Sequence, residues 1–142
     1  MKVINEVKLE FLARSVNEGF ARATAGAFFS QLDPTIDEIN DIKTAVSEAV
    51  TNVIVHAYPE TMGKVYLTCR ICENSYIEII IKDKGKGIED IEQAKAPMFT
   101  TGSAERSGMG FTIMESFMTT LSIRSKTGAG TTVKMTRKLR HN

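Results

Sequence analysis

Apolar and polar positions alternate with a period of two in several segments of the chain, which is the pattern of strands. In the first segment, residues 3–12, Val7, Leu9 and Phe11 share one face. Further strand patterns occur at about 64–72, 76–83, 120–126 and 131–139. Three polar residues separate the second and third of these segments, which predicts a hairpin. The nearly continuous apolar run within 76–83 predicts a central strand.

Two longer segments predict helices. Ser15 and Glu18 have the spacing of a capping box, so a helix is expected from Ser15 to about Phe29. Asp33 followed by Pro34 predicts the start of a second helix, because Asp caps helix N-termini and Pro is tolerated at the first helical position. This helix is expected to run to about His56. Shorter helices are predicted at about 89–94 and 109–119.

The second helix carries two stripes on opposite sides. One is apolar and would pack on a sheet: Ile39, Ile42, Val46, Val50 and Val53. The other is mostly polar and can face a cavity: Asp41, Thr44, Glu48, Asn52 and Val55. Together with the strand pattern, these stripes predict an α/β (α+β) two-layer sandwich, in which helices cover one face of a mostly antiparallel mixed sheet.

Composition limits the class of protein without identifying its chemistry. The 142 residues are expected to form one domain, 1–142, and 42% apolar with 25% charged residues is ordinary for a soluble globular protein. A net charge of +1 gives no reason to expect direct binding to DNA or to an anionic membrane. The chain has neither a membrane-spanning apolar run nor a signal-peptide pattern, so a cytoplasmic protein is expected.

Cys69 and Cys72 form a Cys-x-x-Cys sequence, which invites a zinc or redox interpretation. The surrounding alternation places them in a strand, where residues three apart point to opposite faces. One metal ion or one disulfide cannot easily use both, and no second cysteine pair completes a zinc site. Structural cysteines are therefore expected.

Three short motifs could bind a nucleotide. Glu48 and Asn52 are one turn apart on the second helix, a spacing that also arises by chance on exposed helices. Asp83-Lys84-Gly85-Lys86-Gly87 ends a buried strand, although Asp-x-Gly-x-Gly also describes ordinary turns. Gly108-Met109-Gly110 precedes a helix, whose free N–H groups suit phosphate oxygens. It does not directly follow a strand, as a Rossmann motif would, and a Walker A sequence is absent.

In this order the motifs resemble the Bergerat ATP-binding fold of the GHKL superfamily, which includes histidine kinases, DNA gyrase and MutL. The resemblance covers nearly the whole chain. Two further stretches, Asn17-Glu18-Gly19-Phe20-Ala21-Arg22 and Glu105-Arg106-Ser107-Gly108-Met109-Gly110-Phe111-Thr112, resemble the superfamily's smallest branch, the anti-sigma serine kinases.

The resemblance implies a role for each motif. Glu48 would be the catalytic base, Asn52 would hold the Mg²⁺ that bridges the phosphates of ATP or ADP, and Asp83 would accept a hydrogen bond from the adenine amino group. Phe99–Ser107 would form a lid over the nucleotide. The remaining implied nucleotide contacts are Gly85, Gly87, Thr100, Arg106, Ser107, Gly108, Met109, Gly110, Phe111 and Thr132, the last of which follows Gly128-Ala129-Gly130.

The resemblance also implies a regulatory function. With ATP bound, the protein would sequester a sporulation sigma factor (sigma F) and would phosphorylate a serine of an anti-anti-sigma factor. It would act as a homodimer, with Arg22 on the surface for which partners compete; a solvated helix cation is the alternative interpretation of Arg22.

Other functions stay open at this point. An anti-sigma B type stress-response kinase is the nearest alternative. A histidine-kinase ATPase domain would need a phospho-accepting histidine on a dimerisation helix, and only His56 and His141 occur. A binding module that has lost catalysis is disfavoured by the presence of Glu48.

Overall fold

The computed structural model describes residues 2–95 and 110–140. Within them, five strands form one sheet in the order β1-β2-β3-β5-β4, and each neighbouring pair is antiparallel. The strands are β1 Val3–Leu12, β2 Lys64–Cys72, β3 Tyr76–Asp83, β4 Thr120–Lys126 and β5 Gly130–Lys138. Strand β3 lies at the centre, as its apolar run predicts.

Four α-helices lie in the described residues: α1 Val16–Phe29, α2 Ile36–Asn52, α3 Ile91–Lys95 and α4 Gly110–Phe117. Helix α2 continues directly into a π-helical turn, Val53–Ala57. Short 3₁₀ segments occupy Ser30–Leu32 and Glu73–Ser75. None of the helices in these parts of the chain is long and apolar enough to cross a membrane.

The core lies between one face of the sheet and the helices. From α2 it receives Ile42, Val46 and Val50, which are fully buried, and from the sheet it receives Ile79 and Met135, which are also fully buried. The apolar stripe of α2 packs inward, and its polar stripe is left partly exposed. The structure therefore confirms the predicted two-layer sandwich with helices on one face of the sheet.

Both predicted helix caps were wrong. Ser15 is itself in the helical conformation and makes no side-chain cap, while Glu18 binds Arg22 one turn later. Asp33 has left-handed backbone angles and ends the preceding 3₁₀ segment instead of opening α2.

The cap of α2 begins two residues after Asp33. Thr35 has an extended backbone, its hydroxyl accepts from the N–H of Glu38, and the Glu38 carboxylate accepts from the N–H of Thr35. The same carboxylate accepts from the N–H of Arg140, which ties the start of α2 to the end of the sheet. Burial raises the pKa of Glu38, but these hydrogen bonds outweigh it and hold the pKa below its usual value.

Cys69 and Cys72 are both buried and unbridged. Burial raises the pKa of the Cys69 thiol to about 12, so this thiol stays protonated at neutral pH. In residues 2–95 and 110–140, no cluster of three or more His, Cys, Asp and Glu side chains is arranged to hold a metal ion.

Candidate functional site

A cavity of about 570 Å³ opens between the end of α2, the end of β3 and the start of α4. This volume is within the range of small-molecule sites. Its wall combines apolar side chains with a few polar ones, as ligand pockets commonly do. The polar and glycine residues along the wall are Asn52, His56, Asp83, Lys86, Gly87, Glu89, Asp90, Gln93, Gly110, Thr127 and Thr131.

Asp83 supplies a buried carboxylate to the floor of the cavity. It is the last residue of β3, and only 5% of its surface is exposed. Burial raises the pKa of Asp83, opposed by hydrogen bonds from the backbone N–H groups of Gly85 and Thr131. The Gly85 nitrogen lies 2.9 Å from Oδ1 of Asp83. The carboxylate is thus fixed in orientation and borders the cavity.

The loop after Asp83 packs too closely for side chains at two of its positions. A Cβ on Gly85 would lie 2.2 Å from the carbonyl oxygen of Ala57. Gly87 has a φ of +79°, and a Cβ there would lie 2.3 Å from the carbonyl oxygen of Lys126. The two glycines therefore let the loop run between the end of α2 and the β4–β5 turn, where it forms one wall of the cavity.

The Glu48 and Asn52 pair meets the start of α4. A Cβ on Gly110 would lie 3.1 Å from Oδ1 of Asn52 and 3.4 Å from Oε1 of Glu48. Both polar side chains of α2 are therefore packed beside the first residue of α4. Phe111 follows on the cavity wall. Sequence motifs almost sixty residues apart are thus brought together at one end of the cavity.

The structure does not bring Thr132 to the cavity. In β5, Thr132 pairs with Lys82 and lies with Arg124 and Lys134 on the sheet face without helices. Thr131 pairs directly with Asp83 and lines the cavity. Alternate residues of a strand point to opposite faces, so a shift of one position exchanges the two threonines.

Thr131 is also part of a hydroxyl network. Its hydroxyl lies 2.8 Å from that of Ser125 on β4, and Ser125 donates to the carbonyl oxygen of Gly130. The Ser125 hydroxyl also accepts from the N–H of Ile88, which lies in the loop after Asp83. The network therefore fixes the loop against the β4–β5 turn.

His56 and Lys86 line the cavity but were not among the nucleotide contacts that the sequence predicted. His56 lies one turn beyond Asn52 and is carried to the cavity by the π-helical turn. Lys86 lies between the two glycines of the loop, and its backbone is fixed on both sides: its N–H donates to Ala57 and its carbonyl accepts from Gly128. The spacing from Asn52 could have indicated His56, because positions one turn apart share a helix face.

The other predicted residues lie elsewhere. Arg22 is an exposed cation on α1, paired with Glu18 at 3.0 Å, and it does not border the cavity. Two exposed apolar side chains, Val16 and Phe20, are on the same helix. The predicted lid, Phe99–Ser107, falls outside the described residues. So do the predicted nucleotide contacts Thr100, Arg106, Ser107, Gly108 and Met109.

Comparison with known proteins gives one matching family and close relatives. The family model of the histidine kinase-like ATPase domain matches residues 10–137. The anti-sigma F factor of Caldanaerobacter subterraneus subsp. tengcongensis is 52% identical over 143 residues, which cover 100% of this chain and 99% of that protein. The anti-sigma F factor of Bacillus subtilis is 53% identical over 137 residues, which cover 95% of this chain and 93% of that protein.

Solved structures show the same fold at low sequence identity. The RsbU and RsbW domains of a Mycobacterium tuberculosis protein match with a TM-score of 0.71 and 16% identity, covering 96% of this chain and 33% of that one. The mycobacterial sensor histidine kinase MprB matches with a TM-score of 0.60 and 15% identity, covering 96% of this chain and 100% of that one. At these identities the likeness concerns the fold alone.

Proposed function

The chain belongs to the histidine kinase-like ATPase domain family and to its anti-sigma F factor branch. We propose that it is an ATP-dependent protein serine kinase that regulates transcription. The observation that carries this proposal is the cavity itself. Its wall includes the buried Asp83 carboxylate, the Asn52 amide and Gly110, the first residue of α4, and Glu48 packs beside that glycine. Residues 1–142 would form a single ATP-binding kinase domain.

Asp83 fits the adenine end of such a site. One of its oxygens accepts from Gly85 within the loop, and the carboxylate still borders open cavity. A buried carboxylate stabilises a ligand that donates a hydrogen bond to it, and adenine offers an amino group where guanine offers a carbonyl oxygen. Asp83 would therefore select ATP and ADP over guanine nucleotides. Gly87 and Thr131, the strand partner of Asp83, also line the cavity and would lie near the base.

Asn52 fits the phosphate end. The residues present suit Mg²⁺, because an amide oxygen is a hard ligand and this ion keeps several waters, so it needs few protein groups. When bound, Mg²⁺ would neutralise charge on the phosphates. The start of α4 at Gly110 would add backbone N–H groups, which favour anions at a helix N-terminus.

Glu48 would act as the general base. It lies one turn before Asn52 and packs beside Gly110, two residues that would contact the phosphates. There it would accept the proton of an incoming serine hydroxyl as the oxygen attacks the γ-phosphorus and ADP leaves. Arg106, Thr100, Ser107, Gly108 and Met109 complete the proposed site as lid and phosphate contacts.

The partners follow from the relatives. Both relatives named above are anti-sigma F factors, which favours a sporulation sigma factor over a stress-response one. We propose that the ATP-bound protein sequesters that sigma factor in the cytoplasm. Phosphorylation of a serine on an anti-anti-sigma factor would inactivate this antagonist. The protein would act as a homodimer, with Arg22 on the surface that both partners contact.

Phosphate transfer tests the proposal directly. The purified protein is incubated with radiolabelled ATP, Mg²⁺ and the anti-anti-sigma factor from the same organism, and the modified residue is identified by mass spectrometry. A single phosphoserine on the partner is expected, with none when GTP replaces ATP. Label transferred to a histidine of the protein itself would instead indicate a histidine-kinase reaction, and no transfer to either protein would contradict kinase activity.

A further inference from the structure

Tyr58 lies just after the π-helical turn that ends α2, and its hydroxyl joins two other segments. It donates to the carbonyl oxygen of Lys64 at 2.7 Å and accepts from the backbone N–H of Lys84 at 2.8 Å. Lys64 begins β2, and Lys84 is the first residue of the loop after Asp83. One hydroxyl therefore connects the end of α2, the start of β2 and the nucleotide loop.

Three successive N–H groups of this loop are hydrogen-bonded to fixed acceptors. That of Lys84 donates to the Tyr58 hydroxyl, that of Gly85 donates to the Asp83 carboxylate, and that of Lys86 donates to the carbonyl oxygen of Ala57 at 2.9 Å. Two of the three acceptors belong to the consecutive residues 57 and 58. Because these residues continue the helix that carries Asn52, the loop is held directly against that helix.

The Tyr58 ring is closely packed. Gly63, just before β2, packs against the ring so closely that a Cβ there would lie 2.1 Å from one ring carbon. The ring is partly buried against the core, where rotation is restricted by its neighbours. The hydroxyl is therefore presented to the loop from a rigid position and not from a freely rotating side chain.

We propose that Tyr58 is a positioning residue for nucleotide binding: with Ala57 it holds the Asp83 loop at a fixed distance from Asn52. The two ends of a nucleotide contact different elements, so their spacing must match the ligand. This inference rests on the proposed function. It assigns Tyr58 no contact with the nucleotide; Tyr58 acts through Lys84 and the carboxylate of Asp83.

The test compares Tyr58→Phe, which removes only the hydroxyl, with Tyr66→Phe. Tyr66 is a matched control because it also contacts Lys84: its ring lies 5.0 Å from Nζ of that residue. This contact uses the ring and not the hydroxyl, so Tyr66→Phe should preserve it. ADP affinity is measured by calorimetry, unfolding of the nucleotide-free protein by melting temperature, and loop opening by amide hydrogen exchange at Lys84.

Tyr58→Phe should bind ADP about two- to tenfold more weakly, the usual effect of one hydrogen bond. Its Lys84 amide should exchange faster, its melting temperature should stay close to that of the wild type, and its Mg²⁺-dependent gain in ATP affinity should be unchanged. Gly63→Ala should weaken ADP binding at least as much, because the added Cβ displaces the ring.

Wild-type ADP affinity in Tyr58→Phe would overturn the inference, as would an equal loss in Tyr66→Phe. A lower melting temperature with unchanged ADP affinity would also overturn it, because that pattern indicates a purely structural role. Failure of the proposed function is distinguishable, since the wild-type protein itself would then bind no ADP.

Discussion

At the scale of single residues, the most informative side chain is Asp83, which is held in an unfavourable environment. Burial raises the pKa of this carboxyl, and two backbone N–H groups offset only part of that effect. A protein under no functional demand has little reason to keep a carboxylate at the floor of a cavity. The proposed adenine amino group would offset this cost by donating a hydrogen bond to the carboxylate.

Replacing Asp83 with Asn should weaken ADP and ATP binding by about the same factor, because both share the adenine base. The change puts an amide donor where the ligand donates, at a cost of roughly 1–3 kcal/mol. Calorimetry with each nucleotide measures the loss, and Asp37→Asn, an exposed change at the start of α2, is the control. Unchanged ADP affinity would remove Asp83 from the site.

Asn52 should contribute through Mg²⁺ and not through the base. Asn52→Ala removes the amide oxygen and should reduce the part of ATP affinity that depends on Mg²⁺, leaving the affinity measured with a chelator nearly unchanged. Titrations of ATP with and without Mg²⁺ give the two affinities. If the Mg²⁺ dependence of the variant coincides with that of the wild type, Asn52 is not a ligand of the ion.

At the scale of elements, the site depends on where helices and strands end. Helix α2 brings Asn52 to the cavity, β3 ends there at Asp83, and α4 begins there at Gly110, so three termini converge. Glu48 lies one turn before Asn52 and packs beside Gly110. Such convergence suits a ligand with different chemistry at its two ends.

Gly110→Ala tests the contact between α2 and α4. The added Cβ would lie 3.1 Å from Asn52 Oδ1, which is tight enough to displace the amide. The higher helix propensity of alanine should offset part of the cost of this tight contact, so the free energy of unfolding should change little. MgATP affinity should fall on the order of tenfold, the cost of about one polar contact. Gly19→Ala in α1, where the nearest atom is 3.5 Å away, should leave MgATP affinity unchanged.

A pair of adjacent threonines tests the face of β5. Thr131→Val should weaken nucleotide binding, because it removes a hydroxyl from the cavity wall and from the bond to Ser125. Thr132→Val makes the same chemical change on the sheet face without helices and should not alter binding. ADP calorimetry on both variants decides between them. A loss confined to Thr132→Val would reverse the assignment.

At the scale of the whole molecule, the sequence predicted what depends on periodicity. The hairpin strands β2 and β3 begin and end where the alternation predicted. Successive side chains of a strand point to opposite faces, so buried positions are apolar and exposed positions polar. The two-layer arrangement followed from the apolar stripe of α2. The full order of the strands and the packing of Gly110 beside Asn52 depend on tertiary structure, and only the structure shows them.

The predictions that were wrong depend on the backbone dihedral angles of single residues or on strand register. Ser15 cannot cap α1 because its backbone is already helical, and Asp33 cannot cap α2 because its φ is +51°. No pattern of apolar residues reports those angles. Likewise, the sequence of β5 does not show whether Thr131 or Thr132 faces the cavity. The pairing of Asp83 with Thr131 decides it.

The proposed function has two parts, sequestration of a sigma factor and phosphorylation of its antagonist. Substitution of Glu48 should nearly abolish the second and leave the first intact. Glu48→Gln keeps the shape of the side chain and removes its ability to accept a proton. Phosphorylation of the anti-anti-sigma factor should fall by about 10²–10⁴-fold, the usual contribution of a general base. ATP binding and sigma-factor binding should stay near the wild-type level, because neither requires proton transfer.

Three measurements on one preparation check this separation: the rate of serine phosphorylation, ATP affinity by calorimetry, and sigma-factor binding in the presence of ATP. Glu92→Gln, an exposed carboxylate on α3, is the matched control and should behave as the wild type. A wild-type phosphorylation rate in Glu48→Gln would show that another group accepts the proton. Loss of ATP binding would instead indicate a structural role for Glu48. Its carboxylate and the Asn52 amide both pack beside Gly110, so it could hold these two residues in place.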